Sequence, residues 1–267
     1  MSLAPPPGPR RFGAVNWIGL GTHCVKEIRR FGKVLSQTVV APVVTTLLFL
    51  AIFSLALGGA ARTVDGVPFS AFLVPGLVMM ALAQNAFANT SSSIIISKIQ
   101  GNIVDVLMPP LSPAELALGF AVGGIARGLV VGIAVAAATA LFVPLHVQHW
   151  GFVLFHALAA AALMSLLGTV TGIWADKFDH IAAVTNFVVV PLTFLSGTFY
   201  SIARLPAPWQ AVARLNPFFY MIDGFRYGFI GSADGSLAAG VGILLGADLA
   251  LAWACHRMIA VGYKLKA

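Results

Sequence analysis

Charge is what this sequence has least of. Of its 267 residues only 9% are Asp, Glu, Lys or Arg and 59% are hydrophobic, with a mean hydropathy of +0.92. A water-soluble fold cannot cover so much apolar surface, so the shortage of charge excludes a soluble globular domain and makes lipid the solvent for much of the chain. Acids are scarcer still, nine against sixteen Lys and Arg. That surplus would suit nucleic acid if it formed one basic face, but the basic residues flank apolar runs, so no nucleic-acid partner is expected. Cysteine is nearly absent. Cys24 and Cys255 are too few and too far apart for a disulfide framework or a metal-binding pair. The sequence also lacks a Gly-x-x-x-x-Gly-Lys-Ser/Thr phosphate loop, since Gly32-Lys33 has neither the first glycine nor the following hydroxyl residue. No nucleophile elbow or paired carboxylate is present, so no catalytic residue is assigned. His146, His149 and His156 have no Cys or carboxylate beside them and read as interfacial side chains, so no metal is expected.

What is present is a series of long apolar runs at 39–57, 69–96, 116–143, 152–174, 181–200 and 237–254. At about 1.5 Å per residue each can cross a hydrocarbon core of ~30 Å. The breaks are Gly58-Gly59 with Asp65-Gly66, then Pro109-Pro110, Pro144, the charged stretch from Asp176 to Asp179, and a long segment over 201–236. These imply an all-α polytopic membrane protein with six transmembrane helices in one domain over 23–267. Residues 1–22, with Pro5, Pro6, Pro7 and Pro9, are expected to form a disordered tail. No signal peptide is expected, because the first apolar run starts only near Val39. The bias of Lys and Arg places both termini in the cytoplasm. Arg10, Arg11, Lys26, Arg29, Arg30, Lys33, Lys98, Lys177, Arg257, Lys264 and Lys266 then lie inside, against Arg62, Arg204, Arg214 and Arg226 outside.

Three segments are more than spans. Over 23–37, Val25, Ile28, Phe31 and Leu35 fall on one side of a helical wheel and Lys26, Arg29, Arg30 and Lys33 on the other, which predicts an amphipathic helix in the cytoplasmic interface, against lipid, a protein partner or both. Between Asn102 and Pro109-Pro110 there is room for a short helix outside the bilayer, with Ile103, Val106 and Leu107 along one side; an ordinary turn is the alternative. Ser112-Pro113-Ala114-Glu115 then has the form of a capping box that starts the third span. The segment 201–236 is too apolar for an open loop. Its aromatics predict two short re-entrant helices, broken at Asn216-Pro217, that dip into the outer leaflet between spans five and six.

The order of these segments resembles the type-2 ABC exporter permeases. The likeness rests on Gly101-Asn102-Ile103-Val104-Asp105-Val106-Leu107-Met108-Pro109-Pro110-Leu111-Ser112 after span two and on Asn216-Pro217-Phe218-Phe219-Tyr220-Met221-Ile222-Asp223-Gly224-Phe225-Arg226 before span six. Within that group the chain is similar to permeases of nodulation-factor, polysaccharide and drug exporters. The resemblance implies a prokaryotic inner-membrane exporter in which two permease copies join two copies of a separate ATPase, and ATP and Mg lie on that partner. It gives Gly101, Ile103, Val104, Asp105, Val106, Leu107 and Met108 the coupling role, sets the amphipathic helix against the ATPase, and lines the path with spans one, two and five. Nothing in it identifies a cofactor for this chain.

Inside the spans, Gln84, Asn85, Asn89 and Thr90 to Ser93 could line a substrate path or serve as interhelical glue, and Phe87 and Phe194, with Phe72 and Phe199, could form its apolar wall. Arg127 and Asp248 are expected to pair as a structural ion pair between spans three and six, helped by close approach at Gly124, Gly128 and Gly132 and at Gly242 and Gly246. The functional expectation is therefore an ATP-driven exporter permease for an amphipathic substrate such as a drug, lipid or lipid-linked glycan. A secondary transporter or channel not driven by ATP is the rival, and Pro191 in span five is the feature that suits it.

Overall fold

The computed structural model describes residues 13–58, 63–64 and 66–265. The prolines before residue 12, Gly59, Arg62, Asp65 and Lys266 lie outside the described residues. Helix α1 (Trp17–Gly32) is followed by α2 (Leu35–Phe53), which runs on into a wider turn at Ser54–Gly58, and by a two-residue hairpin, β1 (Thr63–Val64) with β2 (Val67–Pro68). Then come α3 (Phe69–Ile99), the short α4 (Ile103–Leu107), α5 (Pro113–Ala140), α6 (Trp150–Trp174), α7 (Phe178–Val184), a wider turn at Thr185–Val189, α8 (Val190–Leu195), α9 (Ala207–Leu215), α10 (Pro217–Ile230) and α11 (Leu237–Ala260). Six segments are long and apolar enough to cross a membrane: Leu35–Ala56, Phe69–Ile99, Pro113–Ala140, Trp150–Trp174, Phe178–Leu195 and Leu237–Ala260. The all-α, six-span reading therefore stands.

Span α3 is the post around which the bundle is built. At 31 residues it is about 46 Å long at the usual helical rise, well beyond a hydrocarbon core. It packs against α5, α6 and α10, and 78% of its most apolar stretch is buried, against 11% for α2, for the α7–α8 span and for α11. Close approach rests on missing side chains. A Cβ on Gly128 would meet Ala86 and the Leu82 carbonyl, and one on Gly168 would meet Thr90 and the Phe87 carbonyl. Backbones in lipid come this near only where residues are small. Gly124, Gly128 and Gly132 thus face α3 and α6, while Gly242 and Gly246 have nothing within 4 Å, which corrects the expectation that these two stripes meet.

Several boundaries differ from the sequence-based expectation for local reasons. Helix α1 begins at Trp17, inside the stretch assigned to the tail, because Asn16 caps it by accepting from the Gly19 amide at 3.0 Å. It ends at Gly32, so Leu35 to Gln37 belong to α2. Span five stops at Leu195, since the chain turns at Gly197 with φ of +75°. The two short helices after it are α9 and α10, with Asn216 capping α10 through the Phe218 amide. The α10 aromatics are packed inside the bundle, because Gly224 and Gly228 let His156 and Val153 of α6 come close. Their density therefore reports core packing against α3, α6 and α11.

The capping box is formed as read. Ser112 Oγ accepts from the Glu115 amide at 3.3 Å, and Glu115 Oε2 accepts from the Ser112 amide at 2.6 Å. Its second oxygen, Oε1, accepts from the Asn16 amide at 2.6 Å, so one carboxylate ties the start of α1 to the start of α5. Ser112→Ala should cost about 1 kcal/mol. The measurement is the unfolding midpoint of the detergent-solubilised protein, and an unchanged midpoint would mean that the cap contributes nothing.

Candidate functional site

Two neighbouring features concentrate the polar chemistry, one at the end of the bundle that carries α1 and α4 and one inside it. Helix α1 climbs beside α5 in the same direction: Gly19 lies by Leu111, His23 against Gly119, and Glu27 against Gly123. Its buried face is Leu20, His23, Glu27 and Phe31. Of the face expected from the wheel only Phe31 is buried, while Val25 and Ile28 are exposed, as are Trp17 and Ile18. The reason is Glu27, whose side chain is fully buried yet partnered. Ser93 Oγ donates to its Oε2 at 2.8 Å, Arg30 Nε stands 3.4 Å from the same oxygen, and Lys26 Nζ is 3.5 Å from Oε1. Arg30 is accordingly turned inward, whereas Lys26, Arg29 and Lys33 remain exposed. Burial holds the His23 imidazole below its usual range, against the opposing pull of Glu27.

Helix α4 is reached through Gly101, at φ of +75°. Ile103 and Val106 are buried in an apolar cluster with Leu116, Phe120, Ile94 and Ile259, and Leu107 packs on its edge. The opposite side carries Val104, Asp105 and Met108, with Val104 50% and Met108 75% exposed. A cavity of about 450 Å³ separates α4 from α1, lined among others by His23, Lys26, Asn102 and Asp105. The short helix is thus half core and half open surface.

The polar residues of α3 divide by helical face. Thr90 Oγ1 donates to Ser165 O at 2.8 Å and Ser91 Oγ to Phe87 O at 2.8 Å, which bind α3 to α6 and to itself. Asn85, Asn89 and Ser93, one turn apart, face the other way. Arg127 Nη2 donates to Asn85 Oδ1 at 3.1 Å, Arg30 Nη2 donates to Asn89 Oδ1 at 2.9 Å and to its carbonyl at 2.5 Å, and Ser93 holds Glu27. Gln84 and Asn85 border a cavity of about 250 Å³ between α2 and α3, with Thr45, Thr46, Phe49 and Met80. Phe49 contacts Phe199 with centroids 5.8 Å apart, and Phe199 stacks on Phe194 at 5.1 Å, so Phe194 continues that wall. Phe87 does not: it is fully buried on the α6 side. Phe72 is likewise buried, beneath the Arg226 guanidinium at 3.9 Å.

Arg127 and Asp248 do not form an ion pair. The glycine stripe that presses α5 onto α3 turns Arg127 toward Asn85, and among the described residues Asp248 Oδ1 has no hydrogen-bond partner. The three histidines are also apart in role. His156 Nδ1 lies 2.9 Å from Phe152 O, and His149 stacks on Tyr227 at 4.9 Å. Among the described residues no group of His, Cys, Asp and Glu could hold a metal ion. Glu27 is the residue that sequence reasoning passed over. A lone acid in a basic helix reads as solvated, and only the spacing Leu20, His23, Glu27, Phe31 marks it as part of a packed face.

A family model described as ABC-2 type transporter matches residues 20–230. The chain is 41% identical over 250 residues to the inner membrane transport permease YadH of Escherichia coli (strain K12), covering 94% of this chain and 98% of that one. It is 23% identical to nodulation protein J of Rhizobium leguminosarum bv. viciae, over 87% of this chain and 89% of that one, and 26% identical to nodulation protein J of Rhizobium meliloti (strain 1021), over 81% and 82%. Six apolar helices, a short helix half buried at one end of the bundle and a match over most of the length agree: the chain is a membrane transport permease and belongs to the ABC-2 type transporter family.

Proposed function

We propose that the chain is the permease of an ATP-driven exporter, working by alternating access as a homodimer with two copies of a separate ATPase that hold ATP and Mg. The observation that carries this reading is α4. Its Ile103 and Val106 are anchored in the permease, and its Val104, Asp105 and Met108 are uncovered beside the exposed basic side of α1. A five-residue helix held on one side and bare on the other suits a foot on which a partner presses. The Lys and Arg bias supports placing that end in the cytoplasm. The substrate path is read along the α2–α3 cavity, where Gln84, Asn85 and the Phe49–Phe199–Phe194 wall offer amide and aromatic contact to an amphipathic molecule. Bare apolar flanks on α2 and on the α7–α8 span leave room for a second copy.

The test is made with the permease and its ATPase reconstituted in vesicles. Val104→Asp and Met108→Asp should each lower transport-coupled hydrolysis about tenfold, the effect of losing ~1.4 kcal/mol of contact, while the permease alone hydrolyses nothing. Val106→Asp should damage the permease itself, because it buries an unpaired charge. Transport by the chain without any ATPase would favour the secondary transporter, a reading to which the interrupted α7–α8 span lends some support.

A further inference from the structure

We propose that Arg30 and Arg127, with Asn85 and Asn89, bind the anionic oxygens of a phosphate-type headgroup carried by an amphipathic molecule, whose apolar part enters the α2–α3 cavity. The ground is a surplus of donors. The two guanidinium groups are held by successive turns of α3, Arg127 by Asn85 Oδ1 and Arg30 by Asn89. Those acceptors are neutral. Glu27 is the carboxylate at this cluster, and it is shared by Ser93, Arg30 and Lys26. Among the described residues Arg127 has no ion pair, and Arg30 is the charged neighbour that acts on it, by repulsion. Two arginines facing one carboxylate leave a positive charge in excess, and a lone guanidinium within a span costs several kcal/mol.

Among the described residues two buried nitrogens in the cluster, Arg127 Nε and Asn89 Nδ2, have no hydrogen-bond acceptor, Arg30 Nε meets only the shared Glu27 Oε2 at 3.4 Å, and Asn89 is wholly buried. Planar N–H donors with no acceptor and a net positive charge are what an oxyanion satisfies, by paired and charge-assisted hydrogen bonds. A cation would leave both deficits in place, and a neutral sugar, whose hydroxyls can accept from these N–H groups, would leave the charge. The apolar half of the site adjoins it: Asn85 is also a wall of the α2–α3 cavity of about 250 Å³, beside Ala41, Pro42, Leu77 and Met80. Depth agrees. Arg30 lies just before α2 begins at Leu35, and Ala41 and Pro42, about two turns into α2, lie along Asn85. The arginines therefore bracket the level at which α2 enters the hydrocarbon, where the phosphates of one leaflet lie. That the leaflet is the inner one, and that the cavity belongs to the path, rests on the reading of the preceding subsection; the binding itself does not.

The purified full chain in detergent is titrated with dioctanoyl phosphatidic acid, dioctanoyl phosphatidylcholine and inorganic phosphate, with affinity read from a binding-dependent change in tryptophan fluorescence. Phosphatidic acid should bind at least tenfold tighter than phosphatidylcholine, and Arg127→Gln and Arg30→Gln should each weaken it about tenfold. Arg127→Lys, which keeps the charge and loses the fork, should fall between. Should Arg127→Gln not fold, Arg30→Gln carries the comparison, because Arg30 sits at the end of α1 and is partly exposed. Equal binding of the two lipids, unchanged affinity in the substituted proteins, or inorganic phosphate competing at the same concentrations would overturn the proposal. The source of the anion is decided with the ATPase present: ATP-dependent movement of a labelled phosphatidic acid between leaflets marks cargo, and binding without movement marks a resident lipid. Either result supports the site. Because the titration uses no ATPase, its failure is distinct from failure of the exporter reading.

Discussion

A leucine at Gly168 is expected to keep α6 from seating on α3. A Cβ there would press on Thr90 Oγ1 and on the backbone carbonyl of Phe87. The carbonyl cannot swing aside as a side-chain end would. Nor can α3 retreat, since α5 and α10 pack on its other sides. Crowding of this kind costs about 3 kcal/mol, a large share of what holds a small helical bundle together. Gly242→Leu is the control, in a span of similar composition where nothing lies within 4 Å of the added Cβ; its effect should stay within about 0.5 kcal/mol. The comparison is the unfolding midpoint of the solubilised proteins, together with the fraction recovered folded from membranes. Equal behaviour of the two variants would mean that α6 does not approach α3 as described.

Replacing Glu27 by glutamine should be nearly as damaging, for a reason of charge. The side chain keeps its size and can still meet Ser93, but Arg30 loses the carboxylate 3.4 Å away and Lys26 the one at 3.5 Å. Removing one member of a buried pair strands the other and costs about 3 kcal/mol. Arg30 keeps its bonds to Asn89 and has partial access to solvent, which sets the loss at the lower end of that class. Adding Arg30→Gln should return part of the stability, giving a coupling of about 1 kcal/mol or more in a double-mutant cycle. Strict additivity would show that the two side chains do not depend on each other.

The spans were legible because crossing lipid requires length and apolarity, and both can be read residue by residue. The start of α5 was legible too, since the Ser112 to Glu115 box is local chemistry. The short α4 followed from the room left before a double proline, although Asn102 does not cap it with its side chain. What could not be read is which face meets which neighbour. In water a buried face is the apolar one, but in lipid the apolar faces of α2 and α3 look alike although one is bare and the other packed. Small residues carried that information without naming the partner, so Gly124, Gly128 and Gly132 were recognised as a contact and assigned to the wrong helix. Pairing Arg127 with Asp248 rests on opposite charges inside two spans and on their glycine stripes, none of which gives direction around the helix; Asn85 takes the guanidinium. The basic wheel of α1 hid Glu27, whose place depends on Ser93, 66 residues away.

The contrast between α2 and α3 also bears on how the chain is made. Helix α2 is the most apolar of the six spans, so it can enter the bilayer on its own affinity for lipid. Helix α3 is among the least apolar, and α5, α6 and α10, which cover its polar rungs, follow it in the chain. During synthesis Asn85 and Thr90 must therefore wait in the membrane for Arg127 and Ser165, while Ser93 and Asn89 already have Glu27 and Arg30 available from the earlier α1. The amino-terminal helix thus supplies polar partners to α3 that precede it in the chain, before translation delivers the rest of the bundle.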